Sequence, residues 1–289
     1  MKKKNLLLIL LILATVAAFL GYRALNELRE DTVAPEIRLE NQIPEISVED
    51  PKSALLQGIT ARDDVDGDVS KSLVVERVEL LDSDGSLMVS YAAFDSAGNV
   101  AKAKREAKYT DYHSPRFTLK APLSYPVGIG FDVLSNVGAM DVIDGDIQHR
   151  VRATSLTSNS IGEVGVHDVE FRVSNSLGDT VTAILPVQVR DPKYGASLEL
   201  TQYLIYLPVN GTFTPKDYLR QYTLGEEEVD LTKGLPKSYK LKTNGKVDTQ
   251  TPGIYSVEYQ VIYTITNEQN PEKKTEYTGY STQIVIVEG

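Results

Sequence analysis

Four carboxylates crowd into six residues at Asp63, Asp64, Asp66 and Asp68. Hard oxygen donors at that density suit Ca²⁺, which takes about six to eight oxygen ligands. A second polar turn, Asp95-Ser96-Ala97-Gly98-Asn99, falls where a β-sandwich would bring it to the same end. The expected calcium set is Asp64, Asp66, Asp68 and Asp95. The spacing is not that of an EF-hand, whose loop closes on Glu. A second reading stands beside it: aspartates in a tight turn accept nearby backbone N–H groups while Gly67 supplies positive φ. A weaker copy of the cluster, Asp141, Asp144, Asp146 and Asn175, has one acidic ligand fewer.

Little else in the chain promises chemistry. There is no Cys, no Trp and only three His among 289 residues, so thiolate sites, disulfides and most hydrolase constellations lack their parts. His167 and Asp168 next to Ser174 imitate a triad, but neighbours on a strand point to opposite faces. We expect no catalytic residues, no bound cofactor and a non-enzymatic protein, with His167 a half-exposed strand residue. A net charge of −10 argues against a nucleic-acid partner. Tyrosine is the other feature: eleven of the sixteen lie in residues 193–289. Rigid amphipathic rings are favoured at interfaces. Tyr203, Tyr206, Tyr218, Tyr222, Tyr277 and Tyr280, with Tyr194, are the candidate partner-binding face. Tyr255, Tyr259 and Tyr263 share one face of a strand and serve either the core or a binding surface.

The elements that must position these residues recur along the chain. Asp63 to Val69 is answered by Asp141 to Ile147, 78 residues on, and Asp95 to Asn99 by Asn175 to Asp179, 80 residues on. Thr251 to Tyr259 answers Glu163 to Phe171, 88 residues on. Period-two segments rich in Val, Ile and Tyr, such as 87–94, 166–173 and 255–263, predict half-buried antiparallel strands. The fold class is all-β: three tandem β-sandwiches behind one N-terminal transmembrane helix. The expected boundaries are 1–25 for cytosolic lysines and signal-anchor, 26–32 for a juxtamembrane linker, and 33–111, 112–191 and 192–289 for the three domains.

On these residues the chain resembles tandem bacterial immunoglobulin-like domains of the pesticidal-crystal-protein and hyaline-repeat-like type. The resemblance rests on an opening Pro at Pro35 and Pro115 and on Asp64-Val65-Asp66-Gly67-Asp68 and Val142-Ile143-Asp144-Gly145-Asp146. It rests also on Asp95-Ser96-Ala97-Gly98-Asn99 and, in the third unit, Thr251-Pro252-Gly253-Ile254-Tyr255. The third unit departs by lacking the acidic turn and by inserting Asn267 to Tyr277. The resemblance implies an immunoglobulin-like fold and is silent about activity.

The N-terminus predicts the compartment. Lys2, Lys3 and Lys4 precede an uncharged apolar run from Leu6 to Gly21. That pattern reads as a single-pass anchor with its N-terminus inside and the bulk of the chain outside. The alternative is a signal peptide cleaved after Ala18 and a secreted product. The expected function is that of a membrane-anchored surface rod presenting a distal domain for adhesion or protein–protein interaction, to a protein or cell-surface glycan. A cell-wall carbohydrate-binding or envelope-assembly accessory is the alternative.

Overall fold

The computed structural model describes residues 3–27, 31–156, 162–191, 196–267 and 270–289. Lys2, Tyr194 and the start of the third segment at 192–195 lie outside them. The described chain is one helix, α1 (Lys3–Glu27), followed by strands and short 3₁₀ turns. It divides into two compact units, 1–112 and 113–289.

Leu8 to Leu13 go more than once round α1, and each is between 44% and 64% exposed. Among the described residues no helix is long and apolar enough to cross a membrane.

The first unit goes on to β1 (Glu36–Leu39), β2 (Glu45–Ile46), β3 (Ile59–Asp63), β4 (Gly67–Asp68), β5 (Val74–Leu80), β6 (Ser86–Phe94) and β7 (Val100–Tyr109). One sheet runs β1-β3-β4 and the other β2-β7-β6-β5. The chain changes sheets between β1 and β2: β1 is antiparallel to β3, and β2 is parallel to the last strand, β7. That switch of the first strand is characteristic of an immunoglobulin-like sandwich. Alternation decides what is inside. In β3 the inward set is Ile59, Ala61 and Asp63, so a carboxylate occupies the third place of an apolar row. The core gathers Leu55, Leu87, Val89 and Tyr91, all at 0% exposure. The Tyr91 hydroxyl donates to the Leu55 carbonyl at 2.9 Å, and the Arg105 guanidinium donates to the same oxygen. The Tyr91 hydroxyl and one terminal guanidinium nitrogen of Arg105 are thereby satisfied, as burial favours, while Arg105 Nε is buried without a partner.

The second unit begins by repeating this plan element for element. It has β8 (Arg116–Leu119), β9 (Ser124–Pro126), β10 (Val137–Asp141), β11 (Gly145–Asp146), β12 (Arg152–Ser155), β13 (Gly165–Ser174) and β14 (Thr180–Arg190). The sheets run β11-β10-β8 and β12-β13-β14-β9, with β9 parallel to β14. His167 belongs to the inward row of β13 and is 5% exposed, with Nε2 2.8 Å from the Glu163 carbonyl. It is a buried residue and not the half-exposed one expected, because the alternation Val169, Phe171, Val173 extends back to it.

The same order follows once more: β15 (Ala196–Leu200), β16 (Leu204–Pro208), β17 (Leu219–Leu224), β18 (Glu227–Asp230), β19 (Tyr239–Asn244), β20 (Gly253–Asn267) and β21 (Asn270–Glu288). Here a short parallel pairing of β15 with β21 joins the strands into one seven-stranded sheet. β20 and β21 run on into the segment inserted relative to the other repeats, staying paired through Thr266 and Lys274. The second and third repeats share a core. Ile284 of β21 packs with Phe117 and Leu185, and Arg116 forms an ion pair with Glu288 at 2.6 Å.

Candidate metal centre

The acidic turns of the first two repeats rest on one backbone scaffold. Asp63 Oδ1 accepts the Val65 and Asp66 amides, both at 2.8 Å. Asp141 Oδ1 accepts those of Ile143 and Asp144, both at 2.9 Å. Asp68 and Asp146 each accept the amide two residues on, from Ser70 and Gln148. Asp66 and Asp144 reach across to the amides of Ser96 and Ser176, each at 2.6 Å. Gly67 and Gly145 turn the chain with φ +75° and +69°. These are aspartates doing turn work, as one reading of the sequence held.

The side chains beyond that scaffold differ. In the first repeat Asp31, Asp63 and Asp95 each offer a carboxylate oxygen within 4.8 Å of the others. Asp63 is 3% exposed and its Oδ2 has no hydrogen-bond partner; Asp31 Oδ2 is likewise buried without one. Asn99 braces the cluster, donating from Nδ2 to Asp95 Oδ2 at 2.8 Å and to the Asp31 carbonyl at 3.0 Å. Burial pushes the Asp95 carboxyl up. Hydrogen bonds from the Asn99 side chain and from the amides of Asn99, Gly98 and Ala97 outweigh that and hold it below the usual range. Its charged form is the one the site is built around.

In the second repeat Asn175 stands where Asp95 stands, and its Nδ2 donates to Asp141 Oδ2 at 3.1 Å. The oxygen left unpartnered on Asp63 is thus satisfied on Asp141. Arg150 adds a guanidinium 2.5 Å from Asp144 Oδ2. Burial pushes the Asp144 carboxyl up, but Ser176 and Arg150 outweigh it and keep it low.

Of the expected set Asp64, Asp66, Asp68 and Asp95, only Asp95 belongs to the cluster. Asp64 is exposed, and Asp66 is taken up by the Ser96 amide and hydroxyl. Asp68 is held below the usual carboxylate range by the Ser70 hydroxyl and amide. The residue missed is Asp31, read as linker; the residue misjudged is Asp63, whose inward register the alternation of β3 carried.

The tyrosines of 196–289 mostly face inward or along the junction between the second and third repeats. Tyr222 is 0% exposed, its hydroxyl donating to the Tyr277 carbonyl at 2.9 Å. It cannot meet a partner, since it fills the core between Tyr239 and Tyr263. Tyr259 is equally buried and donates to Gln283 Oε1 at 2.6 Å. Tyr206 accepts the Phe117 amide at 2.8 Å with Arg116 over its ring, and burial pushes its phenol up to about 12. Tyr203 is half-buried against the third core, and Tyr218 stacks on Phe213 at 5.7 Å. Tyr277 is half-buried, and Tyr280 lies 5.7 Å beneath the Arg190 guanidinium. Tyr280 lines a cleft of about 750 Å³ with Gln188, Arg190, Glu258, Gln260 and Ser281, all within the second unit.

These features define a class: a repeat protein of immunoglobulin-like β-sandwiches, one of which carries a partly buried carboxylate cluster. No family model matches the chain. A protein of Acholeplasma phage L2, described as an uncharacterized 81.3 kDa protein, is 28% identical over 159 residues, covering 55% of this chain and 20% of that one. This chain therefore spans about a fifth of that relative's length. Similar solved structures include the second CBM51 domain, in complex with GlcNAc, and the INT domains of Clostridium perfringens ZmpB. The match there is 13% identical, covers 88% of this chain and 41% of that one, and has a TM-score of 0.22. Mouse Cadherin-23 EC22-24 is 10% identical, with 88% and 99% covered and a TM-score of 0.20. Likeness at that level carries no argument, and the assignment of fold stands on the strand order.

Proposed function

We propose that this protein is a non-enzymatic, membrane-anchored surface protein whose immunoglobulin-like repeats hold a distal binding module away from the membrane. The observation that carries the reading is α1. From Leu8 to Leu20 its side chains carry no charge, and the large apolar ones are exposed on every side, the pattern of a helix whose solvent is lipid. At about 1.5 Å per residue, the whole of α1 is roughly 37 Å long, and Lys2 before it with Lys3 and Lys4 at its start keep that end inside the cell. The acidic sandwiches then stand outside, and the third repeat, with the long β20–β21 ribbon, lies farthest along the chain from the anchor.

A C-terminally tagged full-length chain tests this in the producing cell. The account expects the intact product in the membrane fraction, with the tag removed by protease added to intact cells. A protease-protected tag, or a mature product beginning at Phe19 in the medium, contradicts it. The cleft around Tyr280 favours a second reading, glycan binding, because it sets an aromatic ring beside several hydrogen-bonding side chains. Binding of the full chain to a glycan array, lost in Tyr280→Ala, would select that reading over a protein partner.

A further inference from the structure

We propose that Asp31, Asp63 and Asp95 bind one hard divalent cation, calcium, which fastens the chain entering the first sandwich to the ends of β3 and β6. The three carboxylates come from separate segments and offer oxygens within 4.8 Å of one another. Like charges so placed repel, and a protein relieves that with protons, cationic side chains or a metal ion. Among the described residues none of the three forms an ion pair with Lys, Arg or His. The independent observation is Asp63 itself: at 3% exposure its Oδ2 lacks any partner, while Oδ1 is fully used by two amides. A buried charged oxygen without a partner is costly enough that native proteins rarely leave one. The second repeat supplies the internal control, since there Asn175 Nδ2 donates to the equivalent oxygen of Asp141. The same backbone thus has two solutions, an amide in one repeat and a cation in the other.

The donor chemistry selects the ion. An all-carboxylate set is hard. With calcium–oxygen distances of about 2.3–2.6 Å, three oxygens within 4.8 Å of one another need to close by no more than a few tenths of an ångström to share one ion. Magnesium holds oxygens at about 2.0–2.1 Å in a near-ideal octahedron, a harder demand on carboxylates already committed to backbone amides. Asn99 prepares the site from behind, gripping both Asp95 and the Asp31 carbonyl. The site does not depend on what the distal module binds.

Equilibrium dialysis and thermal unfolding of the full chain in detergent, stripped with chelator and then supplied with calcium chloride, test the site. The expected result is one calcium per chain and an upward shift of several degrees in the melting of the first unit, since an ion bound only by the folded state stabilises it. Asp95→Asn should weaken binding by at least about tenfold and abolish the shift. It should still fold, because the second repeat folds with Asn at the matching place, its Nδ2 on the equivalent aspartate, at the cost of the bond Asn99 Nδ2 now makes to Asp95 Oδ2. Asp31→Asn, in the entering segment, should weaken binding in the same way, whereas Asp146→Asn should leave it unchanged. Identical melting curves with no bound calcium would overturn the proposal, as would full calcium binding by Asp95→Asn or Asp31→Asn. Tighter binding of magnesium than of calcium would overturn the choice of ion.

Discussion

The turns after β3 and β10 are the same turn with opposite electrostatics. Both hang two backbone amides on the inward aspartate, both cross to a serine amide, and both bend at a glycine with positive φ. Yet the second closes its polar network with Asn175 and Arg150, while the first leaves a buried carboxylate oxygen open toward two further acids. The turn needs its aspartates for geometry, so their presence alone says nothing about metal. What distinguishes a site is the group that faces them.

The largest expected effect comes from breaking the closed network. Asp141→Ala would remove, in a 5% exposed position, the acceptor of the Ile143 and Asp144 amides and the bond from Asn175 Nδ2. Its cost in denaturant unfolding should be about 3 kcal/mol. Asp63→Ala loses two comparable bonds but also removes a charge from a crowded cluster, so in chelator it should cost less, about 1–2 kcal/mol. Equal costs would mean that the two turns are electrostatically alike.

Asn175→Asp should place two carboxylates face to face in the second repeat and lower stability at neutral pH by about 1–2 kcal/mol. One of the pair would then bind its proton more tightly folded than unfolded. The loss should therefore shrink as pH falls through the carboxylate range, the reverse of ordinary acid destabilisation. A loss independent of pH would point to packing instead of charge.

The smallest effects should be alike in both repeats. Gly67→Ala and Gly145→Ala force Cβ into left-handed backbone with open space around it, at about 1 kcal/mol each. Matching unfolding shifts would place the difference between the turns in their side chains. A large disparity would place it in the backbone.

The repeats, their strands and the acidic turns were legible in the amino-acid sequence because period-two alternation and Asp-Gly turns are local signals. The cluster was less so. Asp63 was readable in principle, since Ile59, Ala61 and Asp63 share the inward row of β3, but the turn pattern drew attention to Asp64, Asp66 and Asp68. Asp31 carried no such signal. It lies in a polar stretch 32 residues before Asp63, and only the tertiary fold, with Asn99 gripping its carbonyl, brings it in. The tyrosines were half legible for a related reason: spacing along a strand groups Tyr255, Tyr259 and Tyr263 on one face without saying which face is inside, and Tyr259 took the core alternative. Tyr222 and Tyr206 went inward because their hydroxyls found a backbone carbonyl and a backbone amide there.

The measurement that bears most directly on the contrast between the two turns is anomalous diffraction from crystals of the full chain grown in calcium. A single peak within about 2.6 Å of the carboxylates of Asp31, Asp63 and Asp95, with none between Asp141 and Asn175, is the predicted result. An ion-free cluster in which Asp63 Oδ2 is hydrogen-bonded to water, or equal peaks in both repeats, would contradict it.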